Sequence, residues 1–167
     1  MSWRDYISST SATSNTLLAE WSWCVAPRLE LWLVTSWGDA LLRDRDDASI
    51  HLLDTTSAEV LRIADDEGSF ETALTSVERL DEWLRASLVD RQRRLGMQHG
   101  PDECFGLIIA PALGGSYGAD NVEVRSVLVH FAITGQLMAQ IRAAAPGARV
   151  VGVRAVTSPR RPWWRFW

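Results

Sequence analysis

A chain of 167 residues has the length of one domain, and an apolar content of 47% lets it bury a core without disulfides or metals. The formal charge is −4, but residues 39–82 hold 13 acids against 4 arginines, a balance of −9, and residues 83–167 hold 5 acids against 11 arginines, a balance of +6. An acidic protein with a concentrated acidic half is a poor fit for wrapping nucleic acid, and the longest apolar stretch, Leu107 to Leu113, falls far short of the roughly 20 residues that span a bilayer.

The 17 basic residues are all arginine, which reads as the codon bias of a GC-rich genome. The N-terminus shows no basic segment followed by an apolar run, so the expected location is the cytosol. Residues 1–14, with the polar stretch Ser8 to Ser14, read as a flexible lead-in, residues 15–157 as one domain, and residues 158–167 as an Arg/Trp-rich tail. Asn15 caps a short helix to Trp23, with Leu17, Leu18 and Trp21 on one face, and Pro27 ends it. Leu29 to Thr35 is a strand with Leu29, Leu31 and Leu33 on one side. Trp37-Gly38-Asp39 is a turn, Ala40 to Arg43 pairs back, and Asp44 to Ala48 is a charged hairpin loop. Ile50 to Asp54 and Glu59 to Ala64 add two strands, which together make an antiparallel meander.

Asp65 to Ser69 opens a long helix capped by Ser69. Phe70, Ala73, Leu74, Val77, Leu80, Leu84 and Leu88 form one apolar stripe over five turns. Arg91 to Arg94 suits the negative pole of that helix, and Gly96 stops it. Phe105 to Ile109 is a buried strand, Pro111 to Gly118 a loop, and Asn121 to Val124 an edge strand. A second helix runs from Ser126 to about Ala144, with Val127, Phe131, Thr134, Leu137, Met138 and Ile141 inward. Pro146-Gly147 ends it, and residues 149–156 return as a strand. The fold class expected is α+β, an antiparallel sheet meander packed against one long and one or two shorter helices.

Little in the chain points to catalysis. His51, His99 and His130 are scattered over strand, turn and helix, with no zinc spacing and no cysteine pair beside them. Gly114-Gly115 lacks the lysine of a phosphate loop. Cys24 and Cys104 read as buried small hydrophobes, with a disulfide as the alternative, and the acids flanking Cys104 push its thiol away from reactivity. No cofactor and no metal are expected. Asp44, Asp46 and Asp47 read as a solvated hairpin tip, a contact surface for a basic partner, or a metal site that lacks the glycine and glutamate of a calcium loop. The tail reads as a disordered or docked end, or as a membrane or single-strand binder.

Several segments in order resemble one family. Trp37-Gly-Asp-Ala-Leu-Leu-Arg-Asp44 followed by Ile50-His-Leu-Leu-Asp-Thr55 is similar to the opening of immunity proteins that protect against type VI secretion DNase effectors. Gly100 to Gly106, Pro111 to Gly115, Asn121 to Val124 and Val129 to Gln136 are similar to their C-terminal domain. Longer relatives often carry a GAD-like domain in front, for which too few residues precede Trp37, and the tail after Pro146 has no counterpart. The resemblance implies a protein that binds a cognate toxin and blocks it. The alternative is a regulatory or housekeeping binding domain of the same fold with no toxin partner. An acidic protein can occupy the basic groove in which a nuclease holds phosphates, and tight binding calls for aromatic anchors beside the acids. The residues so placed are Trp37, Asp39, Asp44, Asp46, Asp47, Asp54, Asp65, Asp66 and Glu67. The expected partner is a nuclease effector, with no nucleic acid and no membrane, for a monomer or weak homodimer. Gly38, Gly106, Gly114 and Gly115 are expected to hold backbone shape.

Overall fold

The computed structural model describes residues 2–144. The expected stop at Pro146-Gly147, the strand over 149–156 and the Arg/Trp-rich tail lie outside the described residues. The serine-rich lead-in, polar in composition, contributes structure. A 3-10 turn over Trp3–Tyr6 is followed by β1 (Ile7–Ser8), which pairs antiparallel with the end of β2 (Leu29–Thr35). Asp102 then accepts hydrogen bonds from the hydroxyls of Thr10 and Ser11 and from the Ser11 N–H. Between these elements the expected helix to Trp23 is shorter and broken. The turn α1 (Ser14–Leu17) starts after Thr13, not Asn15, and a separate 3-10 turn covers Ala19–Trp21.

The meander is as expected. Strands β3 (Ala40–Asp44), β4 (Ile50–Asp54) and β5 (Glu59–Ala64) follow β2, and the five strands lie in the order β1-β2-β3-β4-β5. One detail differs. The register shifts between Leu31 and Leu33, so Trp32 is an extra residue and the alternation changes phase. Leu29, Leu31 and Val34 therefore face one side, while Trp32 and Leu33 face the other.

Each face of the sheet carries its own apolar layer. Leu41, Ile50 and Leu52 pack against Phe70, Leu74, Trp83, Leu84 and Val89. Ala40, Leu42 and Leu53 pack against Leu17, Trp21, Phe131 and Met138. A fully buried leucine or phenylalanine contributes about 1.5–3 kcal/mol, so both layers are needed to hold the sheet.

The single long helix expected after Ser69 is three helices: α2 (Glu67–Ala73), α3 (Val77–Leu84) and α4 (Ala86–Arg94). Asp66, not Ser69, caps α2. Its carboxylate accepts from the Ser69 N–H at 2.7 Å, and the Ser69 hydroxyl accepts from the Asp66 N–H at 3.1 Å. Ser76 caps α3, which leaves Val77, part of the expected stripe, 75% exposed. Arg85, in the left-handed region at φ 53°, divides α3 from α4. The long helix is instead α5 (Val127–Ala143), close to the expected bounds, with Val127, Phe131, Leu137 and Met138 buried. A second sheet pairs β6 (Glu103–Leu107) with β7 (Val122–Ser126). Because Glu103 pairs with Ser126, β6 begins two residues earlier than expected, and Ile108 and Ile109 are exposed rather than buried.

Candidate partner-binding surface

The nine residues singled out from sequence fall into two groups at opposite ends of β3 and β4. Trp37, Asp39 and Asp54 lie at the end where Ala40 pairs with Leu53. Asp44, Asp46, Asp47, Asp65, Asp66 and Glu67 lie at the end where Arg43 pairs with Ile50 and Ile50 with Ala64.

The first group is interior. Trp37 is 2% exposed and stacks on Tyr117 with ring centroids 6.5 Å apart, so it offers no anchor to a partner. Asp39 is 1% exposed. Its Oδ1 accepts from the Thr55 N–H at 2.8 Å and lies 3.1 Å from the Thr55 hydroxyl. That hydroxyl also lies 3.1 Å from His130 Nε2 on α5 and 3.1 Å from the Gly38 carbonyl. Burial, helped by the charge of Asp54, pushes the Asp39 carboxyl up to about 7, against the pull of Thr55 and Arg85. Burial, helped by Arg125, pulls the His130 imidazole down to about 4. Asp54, half-buried, pairs with Arg85 at 2.7 Å.

The His130 ring sits between two glycines. A Cβ on Gly38 would stand 2.6 Å from Nε2, and a Cβ on Gly106 would stand 2.9 Å from Nδ1. The segments around Trp37, Thr55, Gly106 and His130 thus meet in one buried knot that ties both sheets to α5. This gives them a buried role in holding the fold. His130 was not singled out by sequence reasoning. Its spacing of three from Val127 and one from Phe131 places it on the inward face of α5, which is the signal that was there to use.

The second group is a charged rim with graded exposure. Asp44 is buried and accepts from Arg28 Nε at 2.6 Å and from the Asp46 N–H at 2.9 Å. These bonds, the Asp46 N–H first, hold its carboxyl below the usual range. Asp44 thus holds the hairpin turn together. Asp47 is exposed. Its carboxylate accepts from the Ser49 hydroxyl at 2.5 Å and pairs with Arg62 at 2.9 Å, and the Ser49 bonds with Arg62 pull it down to about 2. Arg62 also pairs with Asp65 at 2.9 Å, joining the β3–β4 turn to the end of β5. Glu67 pairs with Arg43 at 2.5 Å, and Asp66, the α2 cap, is lowered by the Ser69 N–H. Asp46, Asp47, Asp65, Asp66 and Glu67 are all exposed.

Other chemistry is less supported. Cys24 and Cys104 are both free thiols, and burial pushes the Cys104 thiol up to about 12. Among the described residues no group of three or more metal-ligating side chains forms, and no helix is long and apolar enough to cross a membrane. A groove of about 1220 Å³ lies between the N-terminal turn and α2–α4, and none of the nine residues lines it.

Residues 64–138, from the end of β5 to the middle of α5, match the family model described as the C-terminal part of the T6SS immunity protein Tdi1. Over those residues the chain is similar to a type VI secretion immunity domain. Among solved structures, the crystal structure of Atu4351 from Agrobacterium tumefaciens is similar in fold, with a TM-score of 0.52 at 14% identity, covering 74% of this chain. The chain spans 62% of the length of that protein's chain. No curated protein matches. The matched segment contains Asp65, Asp66 and Glu67 of the rim and Gly106 and His130 of the knot. The hairpin acids Asp44, Asp46 and Asp47 precede it.

Proposed function

We propose that this immunity domain binds a cognate antibacterial effector, a nuclease, in the cytosol and silences it by contact, without making or breaking a covalent bond. The observation that carries the reading is the family match over residues 64–138. The rim supports the kind of partner: five exposed carboxylates, Asp46, Asp47, Asp65, Asp66 and Glu67, converge from two chain segments at one end of the sheet. A nuclease needs a basic surface for phosphates, and complementary charge speeds encounter toward about 10⁸–10⁹ M⁻¹s⁻¹ at low salt. Asp44 supports the rim from within, and Trp37, Asp39 and Asp54 hold the opposite end of the sheet.

The test is protection in living cells. The effector encoded beside this chain's gene is induced in the cytosol, alone or together with the chain. The expected result is DNA breakdown and growth arrest with the effector alone, and intact DNA and normal growth with both. Arrest without DNA damage would remove the nuclease assignment. Arrest despite the chain would overturn the reading.

A further inference from the structure

Among the described residues, the five-stranded sheet is finished at one edge and open at the other. On the β2 side, β1 pairs with Val34 and Thr35, and the Leu31 N–H is taken up by Ser14 Oγ at 2.8 Å. On the other side, among the described residues, β5 pairs with β4 alone. Among the described residues, no hydrogen bond from an element other than β4 reaches the backbone of residues 60–63. Such a strand presents a row of donors and acceptors that only another strand satisfies, and proteins normally blunt it with proline, outward charge or a covering element. Residues 59–64 contain no proline, and their one arginine, Arg62, is drawn aside to Asp47 and Asp65.

A groove of about 600 Å³ runs beside this edge, between β5 and α2–α3. Leu52, Leu61, Ile63 and Trp83 wall it, and Leu61 is 50% exposed. Two arginines of the groove are already engaged, Arg79 with Glu82 at 2.5 Å and Arg85 with Asp54 at 2.7 Å. Both ends of the strand are acidic: Glu59 at one, and Asp65, Asp66 and Glu67 with the hairpin acids at the other.

The geometry points to β5 as the docking strand for the effector. An extended basic segment of the partner adds to the sheet along Glu59–Ala64, seats alternate apolar side chains over Leu61, Ile63 and Trp83, and meets the carboxylates at both ends. Six paired residues correspond to about 20 Å of strand. A second copy of this chain is a worse occupant. Antiparallel pairing of β5 with itself sets Glu59 of one copy against Asp65 and Asp66 of the other, and like charges oppose. The inference rests on the immunity reading and specifies where the partner is held.

The experiment compares backbone amide exchange in the full chain alone and in the complex obtained by co-expression with the neighbouring effector. The expected result is at least a tenfold slowing over residues 59–64 in the complex. Leu61→Arg, at a half-exposed position, is expected to keep the melting temperature and weaken the complex at least tenfold, with Leu61→Ser intermediate. A complex that forms with unchanged exchange at 59–64, and tolerates Leu61→Arg, overturns the docking strand and leaves the immunity reading standing. Slowing already present in the free chain also overturns it. If lost on removing residues 145–167, the edge belongs to the chain's own C-terminal segment; if dependent on concentration, it belongs to a second copy. Failure of any complex to form overturns both.

Discussion

The imidazole of His130 occupies a space that only two glycines leave open, and that gives Gly38 a role distinct from ordinary turn chemistry. Gly38 has φ +88°, and its missing Cβ would lie 2.6 Å from the ring. Gly38→Ala is therefore expected to cost about 1 kcal/mol for the left-handed backbone and a further 1–3 kcal/mol for overpacking, read as a fall in the urea midpoint. A loss under 1 kcal/mol would mean the ring moves aside freely. Asp39 and His130 make a second prediction. The Asp39 carboxyl at about 7 is raised above its unfolded value, so its contribution is complete below about pH 4 and lost as pH rises through 7. The His130 imidazole at about 4 is lowered, so its contribution is complete above about pH 6.5 and lost as pH falls through 4. The two slopes oppose between about pH 4 and 6.5. Asp39→Asn keeps an acceptor for the Thr55 N–H and removes one slope. Its stability relative to the parent chain is expected to rise with pH across that window, by up to about 1 kcal/mol per unit. Urea midpoints at pH 4.5 and 6.5 check this, and equal differences at both would remove the assignment.

At the scale of elements, strands β2 to β5 were legible in the sequence and the boundaries of α2, α3 and α4 were not, for a physical reason. Strands β3, β4 and β5 are short, alternating runs closed by Asx-type turns at Asp44, Asp47 and Asp54, whose signals are local. The stripe from Phe70 to Leu88 has helical period throughout, but a three-residue break at Leu74–Ser76 nearly preserves the phase, so three helices give the same pattern as one. Arg85 is harder still to foresee, because the left-handed residue that splits α3 from α4 is held by Asp54, 31 residues earlier. The same holds at the candidate surface. Asp39 and Asp46 are alike in sequence, and only the pairing of β3 with β4 decides that one is buried and the other exposed. Arg85 can be dissected. Arg85→Ala loses the ion pair and keeps the strained backbone, whereas Arg85→Gly loses the pair and relieves it. The glycine variant is expected to be more stable than the alanine variant by about 1 kcal/mol in urea denaturation. An alanine variant at least as stable would show that the backbone at 85 relaxes once the pair is gone.

Over the whole molecule, charge that is uneven along the chain becomes uneven in space, and the sheet does the sorting. The −9 segment contains β3, β4 and β5, and their turns carry its acids to both ends of the sheet, where one end is sealed by α5 and the other faces solvent. Among the described residues, three arginines at the open end are each tied to a local acid. Arg28 is committed to buried Asp44, Arg62 is shared by Asp47 and Asp65, and Arg43 pairs with Glu67. Exposed pairs of this kind contribute about 0–1 kcal/mol, so the rim is maintained at little gain to the fold and its field remains available to a partner. Neutralising Asp46→Asn, Asp65→Asn and Glu67→Gln together leaves the hairpin bonds of Asp44 and Asp47 and the Asp66 cap in place. Folding stability is expected to stay within about 1 kcal/mol of the parent chain. Association with the effector at low ionic strength is expected to slow about tenfold, with dissociation little changed, because rim charge acts on encounter more than on the formed complex. Raising the salt to 0.5 M should erase most of the difference, since the Debye length then falls to about 4 Å. Stopped-flow rates at several salt concentrations decide the matter: equal association rates for both proteins at low salt would show that the partner approaches some other face.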